Sequence, residues 1–412
     1  MPDRDGGGVF RVGLLGHGTV GGAFATLLAD RAGEVQAVTG LRPEISGVLT
    51  RSRGDFEDIL ERSDLVVELM GGLEPAREYV LRAIAAGRHV VTANKQLLSQ
   101  HGEELFSSAR EHGVQLRFEA AVAGVVPVVR VLQETLAAAH VERLHGIVNG
   151  TTNFILTRMA ETGATYADAL AEAQRLGYAE ADPTEDVNGK DAAAKMAILA
   201  RLAFNTPVHL DDVPYEGIEH LTADDMAYAR ELGLGLKLIG TAERIDQGIS
   251  VRVHPAFLYG DHPLASVGGP FNAVTIESQA ITEITLSGPG AGGPQTASAV
   301  LGDVVSAMIP PASTTPTTAR LPIVADVESA FYLHLEVADR PGVLAQIAQL
   351  LGLQGASIRS VVQKGLGENA RLVMVTHPIL ESKFYAAVDL IAALDFMRAR
   401  PRAIRVIDEE FV

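Results

Sequence analysis

The sequence contains neither cysteine nor tryptophan among its 412 residues. The absence of cysteine excludes disulfides, thiolate zinc sites and cysteine nucleophiles, and with them any dehydrogenase that passes through a thioester. Positive charge is also scarce, because 34 Lys and Arg residues stand against 51 Asp and Glu residues and give a net charge of -17. This imbalance argues against nucleic acid or an anionic membrane as a partner.

Long apolar runs are missing as well. No stretch reaches the roughly 18 consecutive apolar residues that a spanning helix needs, and residues 1–8 are acidic and glycine-rich, without the apolar core of a signal peptide. Hydrophobic residues nevertheless make up 47% of the chain and charged residues 21%, as in soluble globular proteins. We therefore expect a cytoplasmic protein without a membrane partner, and the length favours about three domains.

A glycine-rich turn near the N-terminus predicts a dinucleotide site. A short apolar run typical of a buried parallel strand is followed by Gly16, Gly18 and Gly21 in the pattern G-x-G-x-x-G, and then by an apolar helix. In this pattern Gly16 permits the turn, Gly18 lets the backbone approach a pyrophosphate, and Gly21 lets helix and strand pack closely. The first helical residues, Thr19 and Val20, offer N–H groups to the phosphates. A tight turn with a purely structural role is the alternative.

The residues after the second predicted strand favour NADP over NAD. This strand is predicted at residues 45–50, and an NAD site often carries Asp or Glu at its end to bind the ribose 2′-OH. The chain has Arg51 and Arg53 there, and guanidinium groups suit a 2′-phosphate. A solvated basic loop end is the alternative interpretation.

Two further strands, followed by polar residues, are predicted at residues 65–69 and 89–95, and residues 114–123 are predicted to continue the sheet. Ligands of an open α/β sheet bind beyond the carboxyl ends of its strands. Thr92 and Lys95 are therefore expected close to the cofactor, and Lys95 close to the substrate as well.

An acidic stretch in the middle of the chain is the predicted centre of the chemistry. Its five carboxylates are those of Glu180, Asp182, Glu185, Asp186 and Asp191. Asp191 and Lys195 are four residues apart on a helix predicted at about residues 188–203, so they share a face with the apolar residues that follow. A lysine on a buried face is either paired or easier to deprotonate, and both make it a proton donor. A solvated surface pair, a calcium-like loop or solubilising charge are the alternatives.

These motifs together resemble the homoserine dehydrogenase family over nearly the whole chain. The resemblance rests on residues 16–21, 68–72, 91–95, 146–156 and 176–183, on Asp186, Asp191 and Lys195, and on residues 288–293. It implies reversible NAD(P)-dependent interconversion of L-homoserine and L-aspartate 4-semialdehyde, on the route to threonine and methionine. It further implies that Lys195 is the proton donor to the substrate oxygen, with Asp191 beside it and Lys95 at the junction of cofactor and substrate.

The resemblance also implies binding residues. Substrate recognition is expected from Glu180, Asp186, Thr151 and Gly150. A sodium ion bound largely by main-chain carbonyls is expected at Glu119, Val122, Gly124 and Val126. The residues alone do not suggest this ion.

The expected fold is α/β with three domains. A Rossmann-type doubly wound sheet spans residues 1–135 and includes a returning helix at 294–309, and an α+β catalytic and dimerisation domain spans residues 136–293. A linker at residues 310–328 precedes a β-α-β-β-α-β segment at residues 329–412, the ferredoxin-like order. The glycine-rich turn at 288–293 is interpreted as a hinge, with phosphate binding as the alternative.

The C-terminal segment resembles an ACT domain in its strand-to-helix turn, residues 338–345. ACT domains bind amino acids between paired copies, so the resemblance implies feedback control, with threonine as the effector, and a homodimer or homotetramer. A dimerisation module without a ligand is the alternative. For the whole chain, the alternatives are another amino-acid or 2-hydroxy-acid dehydrogenase and a non-catalytic NADP and amino-acid sensor.

Overall fold

The computed structural model describes residues 8–290, 292–309, 321–364 and 370–407. Most of the predicted linker, including its proline- and threonine-rich part, lies outside these ranges, as do residues 291 and 365–369. None of the helices in the described ranges combines the length and apolar character needed to span a bilayer.

The N-terminal domain is built on a five-stranded parallel sheet with the order β2-β1-β3-β4-β5. Its strands are β1 (Val9–Leu15), β2 (Arg42–Leu49), β3 (Leu65–Glu68), β4 (His89–Thr92) and β5 (Leu116–Arg117). Its helices are α1 (Thr19–Asp30), α2 (Ala32–Thr39), α3 (Phe56–Arg62), α4 (Ala76–Ala85) and α5 (Lys95–Glu111). The strand order reverses between β1 and β3, which confirms the predicted Rossmann-type sheet and puts its ligand crevice at the ends of these two strands.

The last strand of this sheet is much shorter than predicted. Residues 114–123 were expected to continue the sheet, but β5 has only two residues. A 3₁₀ turn, Glu119–Ala121, follows, and Ala123 and Gly124 have φ angles of 56° and 67°. The 3₁₀ turn and the left-handed residues after it depart from strand geometry, so the chain turns out of the sheet here.

The remainder of the chain forms a second, ten-stranded sheet within the described residues. The strands of the catalytic part are β6 (Arg143–Ile147), β7 (Leu234–Ile245), β8 (Gly248–Tyr259), β9 (Phe271–Ser278) and β10 (Thr282–Pro289). The C-terminal strands are β11 (Glu328–Val337), β12 (Ile358–Lys364), β13 (Ala370–Thr376), β14 (Ile379–Leu380) and β15 (Arg402–Ile407). The order β10-β9-β6-β7-β8-β15-β11-β13-β12 joins both parts, with β14 beside β11.

Helices cover this second sheet and connect it to the first. Those of the catalytic part are α6 (Val128–Arg130), α7 (Gly150–Thr162), α8 (Tyr166–Leu176), α9 (Thr184–Val187), α10 (Lys190–Phe204) and α11 (Ala223–Glu231). The later ones are α12 (Gly293–Met308), α13 (Val343–Leu353) and α14 (Glu381–Ala392). The C-terminal elements therefore follow the predicted ferredoxin-like order.

Helix α12 packs against the N-terminal domain. Val300 and Val304 of α12 share a core with Phe24 and Leu28 of α1 and with Val12 of β1, all of them buried. Apolar side chains at helical spacing on both α1 and α12 produce this contact. The chain thus crosses from the catalytic sheet back to the helix that follows the glycine-rich turn.

We expect Phe24→Ala to destabilise the dinucleotide domain by about 3–5 kcal/mol, because it leaves a cavity between α1 and α12. Urea unfolding followed by far-UV circular dichroism measures the change. Val38→Ala, at a side chain that is 72% exposed, is the control and should cost less than about 0.5 kcal/mol. Equal unfolding midpoints for the two variants would contradict the assigned packing.

Candidate active site

The glycine-rich turn forms an open cradle at the start of α1. Gly16 has a φ of 97°, and a Cβ there would lie 2.5 Å from the Leu69 carbonyl oxygen at the end of β3. A Cβ on Gly21 would lie 2.2 Å from the Gly16 oxygen, whereas one on Gly18 would meet no described atom within 4 Å. Gly18 is the N-cap of α1, and no side chain of the described residues caps it. The first N–H groups of α1 therefore face an open space that suits a phosphate.

Thr19 and Val20 form the first turn of α1, as predicted, and Thr19 also contacts the returning chain. A Cβ on Gly293 would lie 3.1 Å from Thr19 Cγ2, so the N-termini of α12 and α1 are adjacent. This contact places Gly293, the last residue of the glycine-rich turn, beside the predicted dinucleotide site. Whether that turn acts as a hinge or binds phosphate stays a prediction.

A buried carboxylate that the sequence reasoning did not assign organises the crevice. Glu68 ends β3, is 0% exposed, and accepts hydrogen bonds from Met70 N (2.7 Å), Gly71 N (3.2 Å) and Thr92 Oγ1 (2.6 Å). Burial raises the pKa of Glu68, and this effect outweighs the hydrogen bonds, which by themselves would lower the pKa. Glu68 thus ties the loop after β3 to the end of β4. The predicted cofactor residue Thr92 donates its hydroxyl proton to this carboxylate.

Arg51 and Arg53 lie in a turn directly after β2, and both are exposed. The Thr50 N–H donates to the Arg53 carbonyl oxygen (2.7 Å) and closes this turn. Gly16 N donates to Leu49 O (2.9 Å), so the end of β2 lies next to the glycine cradle. The two arginines are therefore on the side of the cradle where the predicted 2′-phosphate would bind.

Two lysines from different domains meet at one buried aspartate. Asp191 lies in the first turn of α10 with a side chain only 2% exposed, and Lys195 Nζ donates to its Oδ2 at 2.7 Å. Lys95, the first residue of α5, donates to Oδ1 of the same carboxylate. Burial alone would raise the pKa of Asp191, but the charges of Lys195 and Lys95 lower it well below its usual value. Asp191 is therefore ionised at neutral pH, and the alternative of a solvated surface pair is wrong.

Asn149 and the carbonyl before it complete this cluster, and the sequence reasoning gave neither a role. Asn149 caps α7 and donates from Nδ2 to both Asp191 Oδ2 (2.8 Å) and Asp186 Oδ1 (2.7 Å). Lys195 Nζ also donates to Val148 O at 2.8 Å. A signal was present, since an asparagine between a strand and a helix is typical of an N-cap. Its reach to two acids that are 37 and 42 residues away in the chain depends on where the tertiary structure places the start of α7.

The predicted substrate residues surround this cluster at different depths. Asp186 is partly buried, and burial together with the charge of Asp191 raises its pKa. Gly150 begins α7, and Thr151 Oγ1 donates to Tyr178 O (2.7 Å) in the acidic loop. Glu180 lies in that loop and is exposed. Helix α8 precedes the loop, with Thr165 as its N-cap and Gly177 as its C-cap.

The expected sodium ligands lie in one tight loop. Ala123 and Gly124 are left-handed, and a Cβ on Gly124 would lie 2.2 Å from Gly290 O. The Glu119 carboxylate accepts from Val129 N (2.8 Å) and Arg130 N (2.9 Å), and burial raises its pKa to about 7. Among the described residues, no His, Asp and Glu side chains cluster as a metal site. Any ion here would depend on main-chain oxygens, whose hardness suits sodium.

A separate cavity lies at the turn between β11 and α13. Its volume is about 440 Å³, and Asp339, Arg340 and Gly342 line its rim. Gly342 is the N-cap of α13, with a φ of 91°, and no side chain of the described residues caps it. Gln363 donates to Asp339 Oδ1 at 3.1 Å. The cavity therefore offers helix N–H groups to a carboxylate and a side-chain carboxylate to an ammonium group.

Comparisons with known proteins agree over nearly the whole chain. Residues 16–119 match the family model for the NAD binding domain of homoserine dehydrogenase, residues 127–305 match that for homoserine dehydrogenase, and residues 332–396 match that for the ACT domain. A homoserine dehydrogenase of Corynebacterium glutamicum is 44% identical over 98% of this chain and 97% of its own.

Solved structures show the same similarity. A crystal structure of a homoserine dehydrogenase from Thiobacillus denitrificans superposes with a TM-score of 0.93 at 42% identity, covering 98% of this chain and 99% of that one. A hyperthermophilic archaeal homoserine dehydrogenase in complex with NADPH superposes with a TM-score of 0.63 at 28% identity, covering 72% of this chain and 97% of that one.

We expect Asp191→Asn to destabilise the fold by about 3 kcal/mol, because two partly buried ammonium groups lose their counter-charge. The lowered pKa of Asp191 means that this ion pair stabilises the fold above about pH 4 and is lost as the pH falls further. Thermal unfolding at pH 7 followed by circular dichroism measures the difference. Glu185→Gln, which breaks the exposed pair with Lys190, is the control and should change little. An unaltered midpoint for Asp191→Asn would refute the role of the pair.

Proposed function

Because this chain belongs to the homoserine dehydrogenase family and is an oxidoreductase with an NAD(P)-binding domain and an ACT domain, we propose roles for its individual residues in the interconversion of L-homoserine and L-aspartate 4-semialdehyde. The buried cluster of Lys95, Asp191 and Lys195 is the observation that carries this assignment. It places two ammonium groups beside the acidic loop and next to the carboxyl end of β4.

Lys195 is the proton donor to the substrate oxygen. An ammonium group has three N–H donors, and among the described residues two of these are engaged, by Asp191 Oδ2 and Val148 O. These two contacts fix the direction of the third N–H, which is left for the substrate oxygen. When bound, the nicotinamide supplies the hydride. The Lys195 proton neutralises the charge that develops on the oxygen during reduction.

Lys95 extends from α5 of the dinucleotide domain and binds Asp191 of the catalytic domain, so it connects the cofactor part of the site with the substrate part. Asn94 caps α5 through Leu97 N (3.1 Å) and donates from Nδ2 to Gly72 O (2.6 Å). The start of α5, and with it Lys95, is thereby fixed to the loop after β3. Burial would lower the pKa of Lys95, but the Asp191 charge raises it, so Lys95 stays charged at neutral pH.

The acidic loop recognises the amino-acid part of the substrate. Asp186 and Glu180 are placed to attract the ammonium group, and Gly150 and Thr151 supply N–H groups at the start of α7 to the carboxylate. A chain without a catalytic role, an NADP and amino-acid sensor, would not need a donor such as Lys195 beside this loop.

NADP is the preferred cofactor. The cradle of Gly16, Gly18 and Gly21 accepts the pyrophosphate, and the arginines after β2 accept the 2′-phosphate. The likeness to an archaeal homoserine dehydrogenase solved with NADPH supports this preference. Sodium is proposed at the carbonyl oxygens of the loop that contains Glu119, Val122, Gly124 and Val126.

The ACT cavity beside α13 is proposed to bind an amino-acid effector, with threonine first among them. Asp339 and the N-terminus of α13 provide opposite charges for its ammonium and carboxylate groups. Pairing of ACT domains favours a homodimer or homotetramer. The domain boundaries at residues 135, 293 and 328, with helix α12 assigned to the first domain, and a cytoplasmic location complete the proposal.

The direct test of the function is NADPH oxidation with L-aspartate 4-semialdehyde, compared with 2-oxo acids. We expect Lys195→Met to lower kcat by roughly 10²–10⁴-fold, the usual contribution of a positioned acid. NADPH binding, measured by its fluorescence, should persist.

Lys190→Met is the matched control, since Lys190 lies on the same helix but pairs with exposed Glu185. It should retain the activity of the parent. A Lys195→Met variant as active as the control would remove the assigned donor, and activity on 2-oxo acids alone would favour another dehydrogenase.

A second experiment tests the cofactor preference. We expect the double variant Arg51→Ala, Arg53→Ala to raise the KM for NADPH roughly tenfold to hundredfold, because charge-assisted hydrogen bonds to the 2′-phosphate are lost. The KM for NADH should not change. Steady-state kinetics with both cofactors measure the effect, with Arg62→Ala, an exposed arginine of α3, as control. A parallel change for NADH would speak against 2′-phosphate recognition.

A further inference from the structure

The ACT domain is joined to the catalytic domain through a shared sheet. Strand β15 pairs with β11 of its own domain and, in parallel, with β8 of the catalytic domain, where Arg405 is the partner of Ala256. Arg402, at the start of β15, donates to Thr222 Oγ1 (2.7 Å) and Asp225 Oδ2 (2.9 Å) of the catalytic domain. A displacement of β15 therefore moves catalytic-domain atoms directly.

Arg405 extends this connection beyond the sheet. Its guanidinium donates two hydrogen bonds to Glu381 at the start of α14 (2.8 and 2.7 Å) and one to Glu216 Oε2 (3.1 Å). The Arg405 side chain is only 14% exposed, so solvent screens these ion pairs less than surface pairs. Arg405 thus links an ACT helix to a loop of the catalytic domain.

The loop that contains Glu216 packs, backbone against backbone, on the turn between α9 and α10. Ile218 N donates to Val187 O at 2.9 Å. A Cβ on Gly217 would lie 2.3 Å from Val187 O, and one on Gly189 would lie 3.0 Å from Glu216 O. Contacts this close leave no room to absorb a displacement, so a shift of Glu216 reaches the turn.

That turn lies between two acids of the candidate site, Asp186 in α9 and Asp191 in α10. Asp186 directly precedes Val187, and Asp191 follows Gly189 by two residues, in the first turn of α10. Asn149 holds both carboxylates. Since a misplacement of about 1 Å can cost a hundredfold in rate, the position of this turn matters for the reaction.

We propose that the Arg405–Glu216 ion pair is a positioning contact, through which the ACT domain sets the placement of Asp186 and Asp191. Glu216 is then a positioning residue that acts on the reaction without touching the substrate. The inference rests on the proposed function of the cluster of Lys95, Asp191 and Lys195. It explains how the ACT domain can act on that cluster through direct contacts.

The substitution Glu216→Gln tests the proposal, because it removes the negative charge and retains the size of the side chain. Glu216 lies in a partly exposed loop, so the substitution should not prevent folding. We expect kcat/KM for L-aspartate 4-semialdehyde to fall roughly threefold to thirtyfold, mainly through KM, as for residues that carry coupling between sites. The Kd for NADPH, measured by fluorescence, should stay unchanged. Glu219→Gln, an exposed carboxylate of the same loop, is the matched control and should behave as the parent.

Two further variants separate the contacts of Glu216. Its Oε1 also lies 3.4 Å from His220 Nε2, and His220→Gln should retain the kinetics of the parent. Arg405→Gln also loses the hydrogen bonds to Glu381, so it should lose at least as much activity as Glu216→Gln. The double variant should lose no more than Arg405→Gln alone, because both substitutions remove the same Arg405–Glu216 ion pair.

The outcomes are distinct. Kinetics of Glu216→Gln equal to those of Glu219→Gln would overturn the proposal, as would the same loss in His220→Gln or a loss of NADPH affinity in Glu216→Gln. If Arg405→Gln does not fold, the comparison of Glu216→Gln with its two controls decides alone. A parent chain that is inactive on L-aspartate 4-semialdehyde would instead refute the proposed function.

Discussion

The pairing of one buried carboxylate with two lysines is the interaction on which the site depends. Asp191 is almost fully buried, so its charge requires nearby cations, and it receives them from Lys195 on its own helix and from Lys95 of the dinucleotide domain. The contact that keeps Asp191 ionised therefore also fixes the two domains against each other. Asn149 adds Asp186 to the same cluster. The proposed proton donor, Asp186 and the dinucleotide-binding domain are held by one group of contacts.

Glu68 shows how a different environment changes the behaviour of a buried acid. It receives hydrogen bonds from two backbone N–H groups and one hydroxyl, and burial raises its pKa. Asp191 is also buried, but it has two cationic partners and its pKa is lowered. One acid suits a structural role between two strand ends, and the other supplies a fixed negative charge beside Lys195, the proposed proton donor.

The shared sheet makes the ACT domain part of the catalytic framework. Regulatory domains often contact their enzymes over polar surfaces that permit motion. Here β15 and β8 are hydrogen-bonded neighbours, and Arg402 and Arg405 of β15 both bind acids of the catalytic domain. An effector in the cavity beside α13 would act on the ACT domain, whose sheet continues into the catalytic sheet that packs against α10. Such an effector can control the enzyme only if it binds two arrangements of the ACT domain and the shared sheet with different affinities.

Local patterns in the sequence determined the glycine cradle, the helix that runs from its cap at Thr165 to Gly177, and the β-α-β-β-α-β order, because each depends on residues a few positions apart. The sequence also placed Asp191 and Lys195 on one helical face. Only the tertiary structure decided that Lys95, 96 residues away, binds the same aspartate, that Asn149 and Glu68 organise the two halves of the site, and that the strand predicted at residues 114–123 ends after two residues. Long-range ion pairs and left-handed turns depend on how the helices and strands pack against each other, and the spacing of residues along the chain does not predict that packing.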